Sequence, residues 1–298
     1  MKKIAIIGAG LWGVTVGQKL SQKADVHMFE KGRGIGGRMS TRYAPPFTFD
    51  HGAPYWQVKS KEFKKFLAPL MGSVVSEWKG DVLILDKKLG TQSTSTFSCF
   101  VGAPHMNSLC KHLAWGLNIE TQCEVKHIYS NHEKKWCLVS SHDKDLGLYD
   151  MVISTAPAPQ TIRLFEDLIP KNHGVYQTTF ESCFVLMVGI NQPWNKHWIA
   201  ANVHHNPIKW IGIDSTKPGR NPDISALVMQ CESKWTKANL NRDINDIQEI
   251  DKNTYELQGT KMWLNGILPT GEYEPVLLVR YRDGRNDFKI KNCERYYE

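Results

Sequence analysis

The sequence predicts an α/β fold with a second, β-rich lobe. Three observations carry that expectation. The apolar run Lys3-Ile4-Ala5-Ile6-Ile7 suits a buried parallel strand, and Gly8-Ala9-Gly10-Leu11-Trp12-Gly13 follows it, leading into a segment from Val14 to Leu20 that can continue as a helix. A second strand-like run, Asp25-Val26-His27-Met28-Phe29, ends at Glu30 and completes a strand–helix–strand unit. From about residue 181 the pattern changes to longer β segments at 182–190, 207–213 and 224–231, in a half that also holds Trp194, Trp198, Trp210 and Trp235.

Size and composition set the frame. A chain of 298 residues fits two domains or one two-lobed unit. At 41% hydrophobic and 22% charged it has the make-up of a globular protein with a sizeable core. No stretch approaches the roughly 20 apolar residues of a membrane helix, so no membrane partner is expected. The N-terminal residues do not read as a secretory signal, and the expected location is the cytoplasm. The net charge is +7, from 37 basic and 30 acidic residues. The basic residues are scattered, and the cluster Lys59, Lys61, Lys64, Lys65 reads as a solvated helix face, so no nucleic-acid partner is expected. A basic surface does attract an anionic substrate or cofactor. The seven cysteines (99, 110, 123, 137, 183, 231 and 293) show no paired spacing of a zinc site; they read as inert thiols, and no metal is expected.

Between the two halves the pattern alternates. A glycine-dense loop runs from Gly32 to Gly37, and residues 43–54 form a proline- and aromatic-rich excursion. Ser60 can cap a helix through Phe63, Phe66 and Leu67. Strands are expected at 82–86, 97–101, near 122–128, at 136–140 and at 149–153. Pro104 is expected in the first turn of a helix through Met106, Leu109, Cys110 and Leu113. Beyond about residue 240 apolar density falls and the end reads as a polar tail.

Two motifs carry chemistry. In Gly8-x-Gly10-x-x-Gly13, the first glycine permits a tight turn, the second lets backbone approach a pyrophosphate, and the third lets the helix pack on the strand. The helix N-terminus supplies N–H groups and partial positive charge to the phosphates, and Glu30 can accept from both hydroxyls of an adenosine ribose. The second motif, Gly36-Gly37-Arg38, puts unhindered backbone and a guanidinium beside the same pyrophosphate, a loop that a nicotinamide-binding fold does not need. Asp50-His51-Gly52-Ala53-Pro54-Tyr55 offers a close backbone approach at Gly52-Ala53. Tyr55 and Trp56 add aromatic faces, and His51 is either a base or a structural histidine. Ser154-Thr155-Ala156-Pro157 ends a strand at the edge where doubly wound sheets bind ligands, which brings in Ala156.

Together these motifs resemble the flavoproteins similar to monoamine oxidase, and more closely the renalase family. The resemblance rests also on Gly-Gly-Arg-Met-Ser-Thr-Arg from Gly36, Phe49-Asp50-His51-Gly52-Ala53, Phe100-Val101-Gly102-x-Pro104-x-Met106-Asn107, Val152-Ile153-Ser154-Thr155-Ala156-Pro157 and Ser215-x-Lys217-Pro218-Gly219-Arg220, and covers about residues 1–240. It implies an FAD-binding Rossmann-like domain of the glutathione reductase/monoamine oxidase type with a β-rich substrate domain. The first would be discontinuous, from 1–55, 97–160 and part of 240–298; the second would take 56–96 and 161–240. By position the family's flavin contacts fall on Gly8, Gly10, Trp12, Gly13, Glu30, Arg38, Pro54 and Tyr55, with Val125 at the adenine. Trp12 and Pro54 depart from the family's usual choices.

The implied reaction is oxidation of 2- and 6-dihydro isomers of NAD(P)H, with hydride passing to the flavin and oxygen reoxidising it to give peroxide. Such a hydride transfer needs no strong base, in keeping with the absence of a recognisable nucleophile triad or carboxylate pair. Two other readings stand beside it: a flavin amine oxidase or desaturase acting on another small molecule, and a non-catalytic remnant. The family's closing Gly-Asp and helix are not found. Trp263 and Pro269-Thr270-Gly271-Glu272 are the late segment that corresponds, Asp283-Gly284 is the only late pairing of those residues, and the match ends after about Pro275. An altered C-terminus leads to an expectation of weaker flavin retention.

Overall fold

In a computed structural model the described residues are 1–86, 91–166, 168–204 and 207–240, with the backbone of five short strands beyond them. The chain opens with β1 (Lys3–Ile7), α1 (Leu11–Leu20) and β2 (Asp25–Glu30). A small hairpin, β3 (Arg42–Ala44) and β4 (Phe47–Phe49), precedes α2 (Lys61–Leu67). The long antiparallel pair β5 (Val75–Asp86) and β6 (Thr91–Gly102) leads to α3 (Ser108–Leu113). Five strands follow: β7 (Asn118–Thr121), β8 (Val125–Ser130), β9 (Trp136–Ser140), β10 (Asp145–Tyr149) and β11 (Met151–Ser154), then α4 (Ala158–Phe165). The second half holds β12 (Val185–Ile190), β13 (Trp198–His204), β14 (Ile208–Ile213), β15 (Ser225–Cys231) and α5 (Ser233–Asn239). The later strands are β16 (Glu249–Asp251), β17 (Thr254–Leu257), β18 (Thr260–Met262), β19 (Leu278–Arg280) and β20 (Ile290–Asn292).

The nucleotide half is a parallel sheet in the order β11-β1-β2-β7. It is buried on both faces, which is why β1 reads as an unbroken apolar run. Ile4, Ile6 and Met28 pack against α1 and α3 through Val14, Leu109 and Leu113. Ala5, Ile7 and Phe29 face the small sheet β10-β9-β8 through Leu138, Leu146 and Tyr149. The chain leaves β1 toward β2 on one side and pairs with β11 on the other, so a switch point lies at the carboxyl end of β1, where Gly8 sits.

The second half is a mixed eight-stranded sheet in the order β20-β19-β12-β15-β14-β13-β5-β6, with β13 and β5 parallel. One side of it has its own core, built from Leu186, Val188, Ile190, Trp198, Ile211, Leu227 and Met229. At the β5–β6 end Trp78, Val82, Val101 and Ala200 join Ile4, Ile6, Val14 and Met28 in one apolar cluster. The halves are therefore joined by a shared core.

The structure departs from the sequence expectations in four places. The strand expected near 122–128 is broken: Gln122 has φ +57°, so β7 stays in the parallel sheet while β8 turns into the small one. Pro104 does not open a helix. It follows Ala103 in a turn in which the Met106 N–H donates to Asp50, and α3 starts only at Ser108. The segments at 82–86 and 97–101 are parts of twelve-residue strands, and the second of these runs from 91 to 102. Strand β13, around Trp198, was not expected. Cys293, Trp263, Pro269–Glu272 and Asp283-Gly284 lie outside the described residues. The Ser60 cap forms as the sequence suggests, its hydroxyl accepting from the Phe63 N–H at 3.0 Å.

Between the halves lies a buried charge cluster. Lys217 Nζ is 3.0 Å from Asp50 Oδ2 and 2.7 Å from Asp214 Oδ1, and the Arg220 guanidinium donates to the same Asp50 oxygen. The Asp50 N–H donates to Asp214, and Thr41 and the Met106 N–H donate to Asp50 Oδ1. Burial alone would push the Asp50 carboxyl upward. The Lys217 and Arg220 charges, with the Thr41 hydroxyl, outweigh burial and hold it well below the usual carboxylate range. Asp214 goes the other way: burial pushes it up, beyond what the Lys217 charge offsets. Removing one partner of such a cluster leaves an uncompensated buried charge. Lys217→Met is therefore expected to lower unfolding free energy by about 3–5 kcal/mol, read from urea denaturation against the parent chain.

Candidate functional site

A cleft of about 2060 Å3 runs along the carboxyl ends of the parallel strands, lined by both glycine loops, by residues 123–126 and by residues 154–164. Ordinary small-molecule pockets span roughly 300–1000 Å3. The cleft thus has room for a dinucleotide and a second molecule.

Its floor is glycine backbone. Gly8 has φ +101°, and a Cβ at Gly13 would stand 2.0 Å from the Gly8 carbonyl oxygen. The helix can start here only because Gly13 has no side chain. The second loop folds back onto the first: the Gly36 N–H donates to the Ala9 carbonyl at 3.0 Å, and a Cβ at Gly37 would lie 3.3 Å from Gly10 Cα. The first i→i−4 bond of α1 runs from the Val14 N–H to the Gly10 carbonyl. The N–H groups before it belong to cleft-lining residues, and no acidic side chain occupies the first turn. This cradle suits a phosphate group.

Glu30 stands at the end of β2. Its Oε2 accepts from the Ala9 N–H at 2.8 Å and its Oε1 from the Gly32 N–H at 2.7 Å. A carboxylate has about four acceptor positions, so the two oxygens retain capacity for ribose hydroxyls while their orientation is fixed. The Arg38 side chain is exposed on the cleft, and its carbonyl accepts from the Ala53 N–H at 2.8 Å. A Cβ at Gly52 would come within 1.9 Å of that carbonyl oxygen. The close approach expected at Gly52-Ala53 is therefore made, within this chain, to the glycine loop.

The structure brings Gly8, Gly10, Trp12, Gly13, Glu30, Gly36, Gly37, Arg38, His51, Val125 and Ala156 into one cleft. Trp12 is 72% exposed at its edge. His51 Nε2 lies 3.4 Å from Ser40 Oγ. Pro54, Tyr55 and Trp56 are not among the lining residues. Tyr55 packs between Phe97 and Trp210, and the Trp56 backbone pairs with Phe100. Burial, aided by Cys99, raises the Tyr55 phenol above its usual range. Burial likewise pushes the Cys99 and Cys110 thiols up to about 12, which leaves them unreactive.

Beside the expected Arg38 and Glu30, several charged lining residues escaped the sequence reading. Seven cations, Lys31, Arg33, Arg38, Arg42, Lys111, Lys126 and Arg163, face three acids, Glu30, Glu124 and Glu181. Tyr43 links two elements: its hydroxyl donates to Asn107 Oδ1 at 3.1 Å and accepts from Lys111 Nζ at 3.0 Å. Four of the cations come from the one segment 31–42, and assembly with distant segments adds Lys111, Lys126 and Arg163. Behind Tyr43 lies His105, ring edge to ring face at 5.1 Å, with its buried Nδ1 lacking a hydrogen-bond partner. Burial and then the Arg220 charge lower its pKa to about 4.

Comparison with known proteins agrees with this geometry. Residues 6–70 match the family model for the NAD(P)-binding Rossmann-like domain. Renalase of the mouse, Mus musculus, is 25% identical over 84% of this chain and 78% of its own length. Among solved structures, an oxidoreductase from Methanosarcina mazei superposes with a TM-score of 0.67 at 14% identity, covering 94% of this chain and 88% of its own. Putrescine oxidase bound to putrescine superposes with a TM-score of 0.62 at 10% identity, over 82% of this chain and 78% of its own. The fold is the one these oxidoreductases share, a Rossmann-like half joined to a β-rich half. In sequence the chain is similar to renalase. No helix among the described residues is long and apolar enough to cross a membrane.

Two outcomes follow from the site. Gly13→Ala forces a Cβ into the Gly8 carbonyl and should abolish nucleotide binding, measured by equilibrium titration with FAD. The folded-state pKa of His105 lies below its ordinary 6.5, so the unfolded chain binds the extra proton between pH 6.5 and 4. Stability from this group is present above pH 6.5 and is lost as pH falls through that window. His105→Gln should flatten that part of a melting-temperature profile.

Proposed function

We propose that the protein is an FAD-dependent oxidoreductase of dihydronicotinamide dinucleotides, the aberrant dihydro isomers of NAD(P)H. The observation that carries the cofactor assignment is the docking of two glycine loops, with Gly37 against Gly10, around the N-terminus of α1. A nicotinamide site needs one such loop, and the second supports a flavin dinucleotide lying extended. Gly8 to Gly13 would seat the pyrophosphate, Arg38 would neutralise it, and Glu30 would hold the adenosine ribose beside Val125. The bound flavin would supply the acceptor for hydride and the route of electrons to oxygen.

The charge of the cleft favours a dinucleotide substrate over an amine. Cations outnumber acids seven to three among the lining residues. A cationic amine is repelled by such a lining, whereas the diphosphate of a dinucleotide is drawn in. The protein then has to hold the dihydropyridine ring against the flavin and exclude competing water, and it needs no strong base. The Tyr43–Asn107–Lys111 group on the lining offers polar anchors for the substrate.

The test is spectroscopic. The purified chain with FAD should give a perturbed flavin spectrum that bleaches without oxygen on adding 2- or 6-dihydro-NAD(P), and not on adding putrescine. KM for the dinucleotide should rise with ionic strength, as screening weakens its attraction to the lining. A chain that stays colourless in excess FAD would refute the cofactor assignment and favour the non-catalytic reading. Bleaching by amines alone would replace the substrate class.

A further inference from the structure

The segment 50–53 is held at three points by groups from both halves. At its start, Asp50 is held by Asp214, Lys217 and Arg220. In its middle, Gln230 Nε2 donates to the Gly52 carbonyl at 2.9 Å. At its end, the Ala53 N–H donates to the Arg38 carbonyl of the glycine loop. His51 and Ala53 line the cleft. Gly52 cannot shift toward the loop, because it already lies against the Arg38 carbonyl.

Gln230 comes from the middle of the β-rich sheet, where it pairs in register with Val185 on β12 and Trp210 on β14. Its neighbours on β15, Met229 and Cys231, are buried core. The Gln230 amide, near the end of β15, is spent on one carbonyl of the segment beside the glycine loop, a bond that an apolar side chain of the same volume cannot make. We propose that Gln230 is a positioning residue: it sets the height of residues 51–53 on the cleft floor and so transmits the placement of the β-rich half to the bound flavin. The proposal rests on the flavin reading above. Asp50, Lys217 and Arg220 do the same at the start of the segment, but they also hold the fold together, so Gln230 separates the two roles.

Two substitutions and two measurements test this. Gln230→Met keeps the volume and removes the donor. It should weaken FAD binding about fivefold to tenfold, the range of one hydrogen bond, with the melting temperature close to the parent's. Gln230→Glu presents a carboxylate to the Gly52 carbonyl at neutral pH and a hydroxyl donor once protonated. Its FAD affinity, taken relative to the parent at each pH, should therefore recover on acidification, a profile that a merely structural role does not produce. Hydrogen exchange of the Ala53 amide, measured without flavin, should be faster in both variants at neutral pH. Parental affinity and parental Ala53 protection in Gln230→Met would overturn the proposal, as would no recovery of Gln230→Glu at low pH. A parent chain that takes up no FAD would overturn the flavin reading itself, and with it the purpose assigned to Gln230. Loss confined to the variants separates these two failures.

Discussion

The buried contact between Asp50 and the pair Lys217 and Arg220 is what the rest of the molecule depends on. Asp50 leaves the small hairpin β3–β4, whose Phe47 and Phe49 pack on the β-rich sheet, and the two cations follow the short turn after β14. Four charged side chains are withdrawn from water here, and burial disfavours every one of them. They persist because each is paired with at least one of the others, with further bonds from Thr41, Thr48 and backbone N–H groups, though the buried Arg220 Nε has no partner. The Lys217 ammonium lies 5.3 Å from the centre of the Trp78 ring as well, which gives it a polarisable wall in place of water. Such a cluster tolerates little displacement, so the orientation of one half against the other is set at this point.

That constraint explains the form of the cleft. The parallel sheet opens a crevice at the carboxyl end of β1, as any doubly wound sheet does. What makes it a long cleft is the segment 50–53, laid beside the second glycine loop and held down from the β-rich half. Glycine is required at 52 because two backbones touch there, and at 13 because a helix begins directly over a strand end. Binding capacity thus comes from the absence of side chains at a few positions. Charge comes from side chains gathered on the lining from the second glycine loop and from separate elements.

The same logic separates stability from chemistry. The buried cysteines and Tyr55 have raised pKa values because they are enclosed by apolar neighbours, and they serve as packing. Burial also lowers His105, which stands beside the charge cluster and behind Tyr43. Glu30, on the cleft lining, is instead half-exposed and held in place by the Ala9 and Gly32 N–H groups.

Taken alone, the sequence determined whatever depends on neighbours in the chain. The strand–turn–helix with its three glycines, the acid at the end of β2, the second glycine loop with Arg38 and the capped helix after Ser60 were all legible, since turns, caps and alternation are properties of consecutive residues. It also marked Lys217-Pro218-Gly219-Arg220 and Asp50 as parts of a resemblance, without a role for either. Tertiary structure alone decided that these two segments, 167 residues apart between Asp50 and Lys217, form one buried cluster. It decided as well that Tyr55 packs on Phe97 and Trp210, that Pro104 sits in a turn, and that Gln230 reaches Gly52 across 178 residues. The physical reason is the range of the interactions. Hydrogen bonds and ion pairs act over a few ångströms, and only the packing of the two sheets brings those partners within reach.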